Sequence, residues 1–591
     1  MKFFLLVRRL LPLAVVLAGV LAACRPAPEG GDGEAVGTAP PSEPAAASNA
    51  EPVPNEAPGA SPGNYLAGRY AYGRGDIGAS ADYLLEALER DPEDLGLLRL
   101  AFRVTLADGR MEVALPLAQR LRERDPLDRL AGLAVAIEKL AQGEDAQALE
   151  MLERVPGGGL NTLTLPLMRA WVGYGESGYE AALARLEPLR DNPGFLVLRD
   201  FHAGLLSDLA GKNDEAERLY RQAIDGASGG TLRVVLALGA LYERLGRKAE
   251  AEALYRSALT EQTEGLWVGA ELDRLAAGGP PARLVADVRE GVAEALFGTA
   301  GALSPDEAGD TALIHLQLAL HLRPDFPIAR ILLGELFESR GQFERALSAY
   351  QSVASATPAG WVARVRSAGV LDQLEREPEA AQLLNAMAEE RPERTDVLVL
   401  LGDILRANER FAEAVEAYDR AFERFDNAKP SEWTLFYSRG VALERAKEWE
   451  RAEADFLSAL ELEPDQPYVL NYLGYSWVER GERLDEARSM IERAVELRPN
   501  DGFIVDSLGW VLYRAGDFAG AVEHLERAVE LQPNDPVIND HLGDAFWRVG
   551  RRDEAEFQWQ RALTLEPTPE DEARIRNKLD QGLEAATGQE S

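Results

Sequence analysis

Cysteine is almost absent from this chain: there is one, Cys24, in 591 residues. No internal disulfide framework is therefore possible, and no paired-thiol redox or zinc-ribbon chemistry. Histidine is scarce as well. His202, His315, His321, His524 and His541 are never spaced as a metal pair, and no His-x-x-x-His with a glutamate occurs. Basic residues are in deficit, 63 against 99 acidic, for a net charge of −36. That deficit excludes the phosphate-neutralising logic of nucleic-acid binding. It also disfavours electrostatic docking of the chain as a whole on anionic lipid. The one long apolar run, Leu10 to Leu21, is shorter than the about 20 residues that span a bilayer. There is no Walker loop, nucleophile elbow or catalytic cysteine motif.

What is present begins with that apolar run. Lys2, Arg8 and Arg9 precede it and small residues follow it, the plan of a secretory signal. Leu21-Ala22-Ala23-Cys24 resembles the lipobox of bacterial lipoproteins. The resemblance implies cleavage after residue 23, acylation of Cys24, and a lipid-anchored mature chain. Arg25 stands where aspartate would hold such a protein in the inner membrane. The resemblance thus implies the outer membrane, with the protein facing the periplasm. Residues 24–63 contain no aromatic side chain and carry prolines at 26, 28, 40, 41, 44, 52, 54, 58 and 62. Such a segment buries too little apolar surface to order itself and reads as a disordered tether. Its r.m.s. reach is on the order of 35–40 Å.

From Asn64 onward the chain repeats itself. Gly440, Gly474, Gly509 and Gly543 are spaced by 34, 35 and 34 residues, and Gly204 and Gly239 by 35. Gly334 and Gly402 lie two periods apart, with Ala368 midway. Around Gly543 stand Leu542, Phe546, Gly550, Ala555, Trp559, Ala562 and Pro567, and equivalents recur one and two units earlier. Apolar positions fall at helical spacing in two blocks separated by a glycine turn, so each unit reads as a helix hairpin. Gly543 and Ala555 are small where the two helices approach, and Asp214 and Asp553 are placed to cap second helices. This 34-residue pattern resembles the tetratricopeptide repeat. The expected fold is an all-α solenoid of roughly 13–14 hairpins. The expected divisions are 1–23 signal, 24–63 tether, 64–264 first array, 265–311 degenerate repeats and loop, 312–568 second array and 569–591 capping helix and tail. Within the degenerate stretch, Gly278-Gly279-Pro280-Pro281 breaks a helix and Thr299 to Asp310 reads as a loop. A further insertion covers Asn427 to Glu432.

Little in this sequence points to catalysis. Gly73-Arg74-Gly75-Asp76-Ile77-Gly78 matches G-x-G-x-x-G, yet it falls on a turn between two helices, where a dinucleotide loop needs a preceding strand. His524 and His541 read as partly exposed face residues. We expect no enzyme, no cofactor and no metal. What remains is a surface: stacked hairpins expose one stripe of each first helix on an inner wall. In the last units that stripe reads Tyr468, Asn471, Tyr475, Val478 and Glu479; then Phe503, Asp506, Trp510, Tyr513 and Arg514; then Val537, Asp540, Asp544, Trp547 and Arg548. Aromatics beside Arg and Asn suit a peptide groove, and equally suit packing between adjacent repeats.

The lipobox, the tether and the segments Asn471-Tyr472-Leu473-Gly474-Tyr475, Asp506 to Tyr513 and His541-Leu542-Gly543-Asp544 together resemble one proteobacterial group. These are outer-membrane tetratricopeptide lipoproteins that act as adaptors for a periplasmic carboxyl-terminal processing protease. The resemblance implies a noncatalytic scaffold that binds the protease and presents cell-wall hydrolases to it. Its rival is a lipoprotein of the same architecture that assists assembly or export of surface polysaccharide, pili or outer-membrane proteins.

Overall fold

The computed structural model describes residues 62–226, 232–259, 264–303, 305–424 and 432–583. The signal, Cys24, nearly all of the tether and most of the 427–432 insertion lie outside these residues. Among the described residues there are 30 α-helices, two short 3₁₀ turns and no strand. The first helix, Pro62–Gly73, starts two residues before the expected Asn64. Two bodies are distinguished, one ending at Arg376 and one beginning at Glu377.

Each hairpin closes on a small residue. The glycine of the first helix sits under the large side chain 16 residues on: Gly402 under Tyr418, Gly440 under Phe456, Gly509 under Leu525, Gly543 under Trp559. A Cβ added at Gly543 would meet the Trp559 ring at 2.5 Å, and one at Gly402 would meet Tyr418 at 2.5 Å. The buried polar atoms of these rings are answered by acids on the facing helix. Tyr418 Oη donates to Asp403 at 2.8 Å, and Trp559 Nε1 to Asp544 at 3.0 Å. Ala555 is fully buried at the same crossing. The 34-residue period is thus the distance between successive ring-over-glycine contacts.

Capping differs from expectation. Asp553 and Asp214 lie inside the first turns of Arg552–Thr564 and Asn213–Gly226, and Arg551, which precedes the former helix, makes no side-chain cap. Other aspartates cap first helices in several hairpins. Asp94 accepts from Leu97 N at 2.9 Å, Asp128 from Ala131 N at 3.0 Å and Asp535 from Val537 N at 2.9 Å. Second helices follow a left-handed residue, Gly550 at φ 84° for example, and two of them are capped as well, by Asp76 and by Asp517. At three helix-to-helix turns that left-handed place is filled by Glu375 (φ 59°), Glu409 (φ 61°) and Lys447 (φ 67°). Side chains there cost about 1–2 kcal/mol. Lys447→Gly should therefore stabilise its hairpin by about 0.5–1 kcal/mol after the entropy of the unfolded glycine is subtracted. A raised thermal midpoint checks this; a lowered one contradicts it.

In the amino-terminal body the chain turns back on itself. Its described residues form eight hairpins, and the seventh, Val288–Gly301 with Pro305–Leu322, lies across the first helices of its own earlier repeats. Along each helix of the pair the partners advance with the chain, from Trp171 to Leu198 for the first helix and from Tyr72 through Gly109 to Glu138 for the second. Arg283 reaches Asp208 at 3.3 Å, Gly298 meets Leu198, Gly291 lies against the Trp171 ring, His321 Nε2 meets Glu138 at 2.8 Å, and Gln317 lies against Gly109. Tyr72 donates to Asp310, and Arg345 pairs with Asp108 at 2.9 Å. Leu313, Leu316, Leu318 and Ala319 are completely buried. A helix apolar on all sides belongs in a core. The stretch expected as a loop, Thr299 to Asp310, is mostly helical: residues 299–301 end one helix of the pair and 305–310 begin the other.

The seam carries a buried titratable group. Trp171 Nε1 donates to His202 Nδ1 at 2.9 Å, and His202 Nε2 is buried with no partner. Burial holds His202 down from the usual 6.5 to about 4, with Glu294 raising and Arg233 lowering it further as smaller influences. The unfolded imidazole takes a proton below pH 6.5 and the folded one does not until about 4. Stability is thus whole above 6.5 and declines as pH falls toward 4, by about 3 kcal/mol. Chemical denaturation of the His202→Asn variant between pH 7 and 4 should show a flatter decline; an identical slope contradicts the assignment.

Candidate functional site

The carboxyl-terminal body stacks five hairpins between helix Glu377–Glu390 and a terminal helix, Pro569–Gln581. Its last first helices, Pro467–Arg480, Gly502–Arg514 and Pro536–Arg548, carry the stripe read from the sequence. The structure divides those residues into three groups.

One group packs between hairpins. Tyr468 lies against the Leu470, Ala494 and Ile504 cluster, and Phe503 against Val505, Ala528 and Ile538. Val478 is fully buried and Val537 half-buried. A second group is sealed near the end of the array. Asp540 and Asp544 are buried, and Lys578 of the terminal helix reaches both at 2.8 Å. Arg574 adds a bond to Asp540 at 3.0 Å. Burial and the neighbouring Asp540 charge push Asp544 up to about 6, against the pull of Lys578. Burial alone would lower the Lys578 ammonium, but Asp544 and Asp540 more than reverse that, so it stays charged. Trp547 rests on Trp559 at 5.3 Å between ring centres, with Arg552 over it at 3.6 Å.

The third group remains together at the surface. Trp510 stacks on Tyr513, ring centres 4.8 Å apart and 6° from parallel. Its indole N–H donates to Glu479 at 2.7 Å, and Arg514 reaches the same carboxylate at 3.3 Å. Arg548 donates to Tyr513 Oη at 3.3 Å. Tyr475 is half-buried nearby; burial first, then Glu479 and Asp506, raise its phenol well above the usual range. Asn471, one turn before Tyr475, holds its side-chain oxygen buried without a hydrogen-bond partner. The assembled face is a rigid aromatic pair edged by two exposed arginines.

Two residues of this region were not legible as such. His541 is buried where partial exposure was expected: it stacks under Trp510 at 4.0 Å and meets the Asp506 carboxylate at 3.0 Å. Burial lowers its affinity for a proton, yet the Asp506 charge and hydrogen bond outweigh it and hold the imidazole above 6.5. Lys578 came from a segment read as a charged outer cap. Its spacing from Ile575, the other buried residue of that helix, was the only available signal. The Gly73 to Gly78 segment is a helix-to-helix turn in which Asp76 caps the second helix at 3.0 Å from Ala79 N. Among the described residues no group of three His, Cys, Asp or Glu is placed to hold a metal, and no helix is long and apolar enough to cross a membrane.

The profile described as Tetratricopeptide repeat matches residues 65–129, 210–265, 310–360, 331–395, 399–467 and 449–502, together more than half of the chain. The chain belongs to the tetratricopeptide-repeat family. A second profile, TPR repeat, matches 509–550, within the hairpins that carry the Trp510 face. Arrays of this kind are typically noncatalytic scaffolds for protein interaction. The TPR repeat-containing protein PA4667 of Pseudomonas aeruginosa is 27% identical over 198 residues, 33% of each chain. The human Protein O-mannosyl-transferase TMTC1 is 27% identical over 142 residues, 24% of this tetratricopeptide chain. This chain thus spans about a third of the first relative's length and 16% of the second's. Among solved structures, the APC/C hetero-tetramer Cut9-Hcn1 is 14% identical with a TM-score of 0.37, covering 88% of this chain and 96% of that one. YrrB, a TPR protein with an unusual peptide-binding site, is 20% identical with a TM-score of 0.27, covering 33% and 99%.

Proposed function

We propose that the protein is a lipid-anchored scaffold at the outer membrane, tethered through Cys24 and facing the periplasm. On this reading it binds a carboxyl-terminal processing protease and brings cell-wall hydrolases to it. The observation that carries a binding role is the Trp510–Tyr513 stack, held rigid by Glu479 and His541. Rigid aromatics flanked by arginine are what concentrate binding energy in interfaces. The first-helix face of the amino-terminal body supports no equal claim, since its own seventh hairpin lies across it.

Affinity capture with the lipidated protein from envelope extract tests the adaptor reading. Recovery of a processing protease with its hydrolase substrates supports it; recovery of neither defeats it. Trp510→Ala should weaken capture about 30-fold or more, the loss of a central aromatic anchor, while helix content stays unchanged. The rival reading, assistance in assembly or export of surface polymers, is favoured by a deletion strain with normal hydrolase levels but lost polymer or pilus secretion.

A further inference from the structure

The first described helix presents an exposed apolar face. In Pro62–Gly73, Leu66 is 62% and Tyr70 72% exposed, Tyr65 is 36% exposed, and Tyr83 of the next helix is 41% exposed. Tyr65, Leu66, Arg69 and Tyr70 fall one turn apart along one side of the helix. Arg69 donates to Tyr65 Oη at 3.1 Å, and Arg74 is exposed just beyond the helix end. The charge here runs against the rest of the chain. From residue 57 to 75 there are two arginines and no acid, in a protein of net charge −36. Of the nearby acids, Asp82 pairs with Arg110, Asp76 caps the next helix, and Glu86 accepts from Asn64 at the start of this one.

Three occupants compete for this face. A second copy needs about 800 Å² on each partner for a stable interface. The four exposed side chains offer on the order of 400 Å². The preceding segment, residues 25–61, contains no aromatic, leucine, isoleucine or methionine, only Val36 and Val53 as large aliphatics. It cannot match a Tyr–Leu–Tyr surface. A bilayer can: tyrosine, leucine and arginine are residues that settle at the lipid–water boundary, and two unopposed arginines favour anionic headgroups.

We propose that this first helix lies on an anionic bilayer surface, with Tyr65, Leu66 and Tyr70 in the interface and Arg69 and Arg74 on the headgroups. Alone the patch is weak. On the functional reading above, a tether fixed to the same membrane gives it a high effective concentration, so modest contact energy is enough to hold the helix down. The proposal shares the tethered geometry of the functional reading above, and nothing else from it.

The test keeps the two apart by anchoring the chain artificially. Residues 25–591, with a histidine tag at the start, are held on vesicles through a nickel-chelating lipid. Cys24 is then gone, so Leu66→Cys gives one labelling position for a polarity-sensitive fluorophore. On phosphatidylglycerol vesicles emission should shift to the blue and rise about twofold, with little change on phosphatidylcholine. A label at Leu127→Cys, 67% exposed in the second repeat's loop, should not respond. The Arg69→Ser, Arg74→Ser pair should reduce the response on the anionic vesicles. No change at position 66, or an equal change on both lipids, overturns the proposal. So does a rise without vesicles that grows with protein concentration, which would assign the face to a second copy. A blue-shifted label from the outset, reversed by deleting 25–61, would assign it to the chain's own leader.

Discussion

Lys578→Met should release the terminal helix. The helix Pro569–Gln581 is strongly polar and buries only Ile575 and Lys578 along its length. Its attachment rests on the ammonium placed between Asp540 and Asp544, side chains that are 1% and 6% exposed. Removing the cation leaves two carboxylates four residues apart, buried, with Arg574 on one of them. Breaking such a group by deleting one partner costs about 3–5 kcal/mol. Asp544 already sits near 6, so without Lys578 it should take a proton at neutral pH. Hydrogen exchange across 569–581 should rise to the rate of a frayed end while Gly502–Arg514 keeps its protection. Adding Asp540→Asn and Asp544→Asn to Lys578→Met should restore much of the loss, because no charge is then left unpaired. Unchanged protection in Lys578→Met would sink this account of the cap.

Trp171→Ala should loosen the returning hairpin of the amino-terminal body. Trp171 is completely buried, with Gly291 against its ring and its N–H on His202. Truncation removes the packing, opens a cavity and leaves His202 Nδ1 without a donor. Tryptophan-to-alanine changes in cores cost about 3–5 kcal/mol. The loss should appear first as exchange in Val288–Gly301 and in Asn161–Ser177, and only later in Leu95–Ala107. Gly291→Val should act in the same direction from the opposite side, by overpacking of about 1–3 kcal/mol. If both variants exchange like the parent through residues 288–322, that hairpin does not lie on the earlier repeats.

The repeat was legible because its physics is local. A glycine under a ring 16 residues away leaves its mark in spacing, and so do the alanines at the crossing. Asp506, Trp510, Tyr513, Arg514 and Arg548 stand together because they share a helix face or its neighbour, which the 3.6-residue period already implies. The returning hairpin was not legible. The partners of His321 and Asp310 lie 183 and 238 residues away, and no periodicity encodes such a pairing. The apolar run 312–319 looked like one more repeat helix, and only burial on every side shows it to be a core. Tyr468 and Phe503 could not be assigned to the packed group from the stripe alone, because an aromatic between hairpins and an aromatic facing a ligand occupy the same helical period. His541 was hidden for another reason: its character is set by Asp506, one repeat earlier, and not by its own neighbours.

The most direct test is photo-crosslinking in the native envelope from position 514, at the edge of the Trp510–Tyr513 stack. The account predicts adducts with a carboxyl-terminal processing protease or with cell-wall hydrolases, and their loss when Trp510→Ala is added. Adducts to those proteins from Phe557, exposed on a second helix, with none from position 514, would place binding on another surface and contradict it.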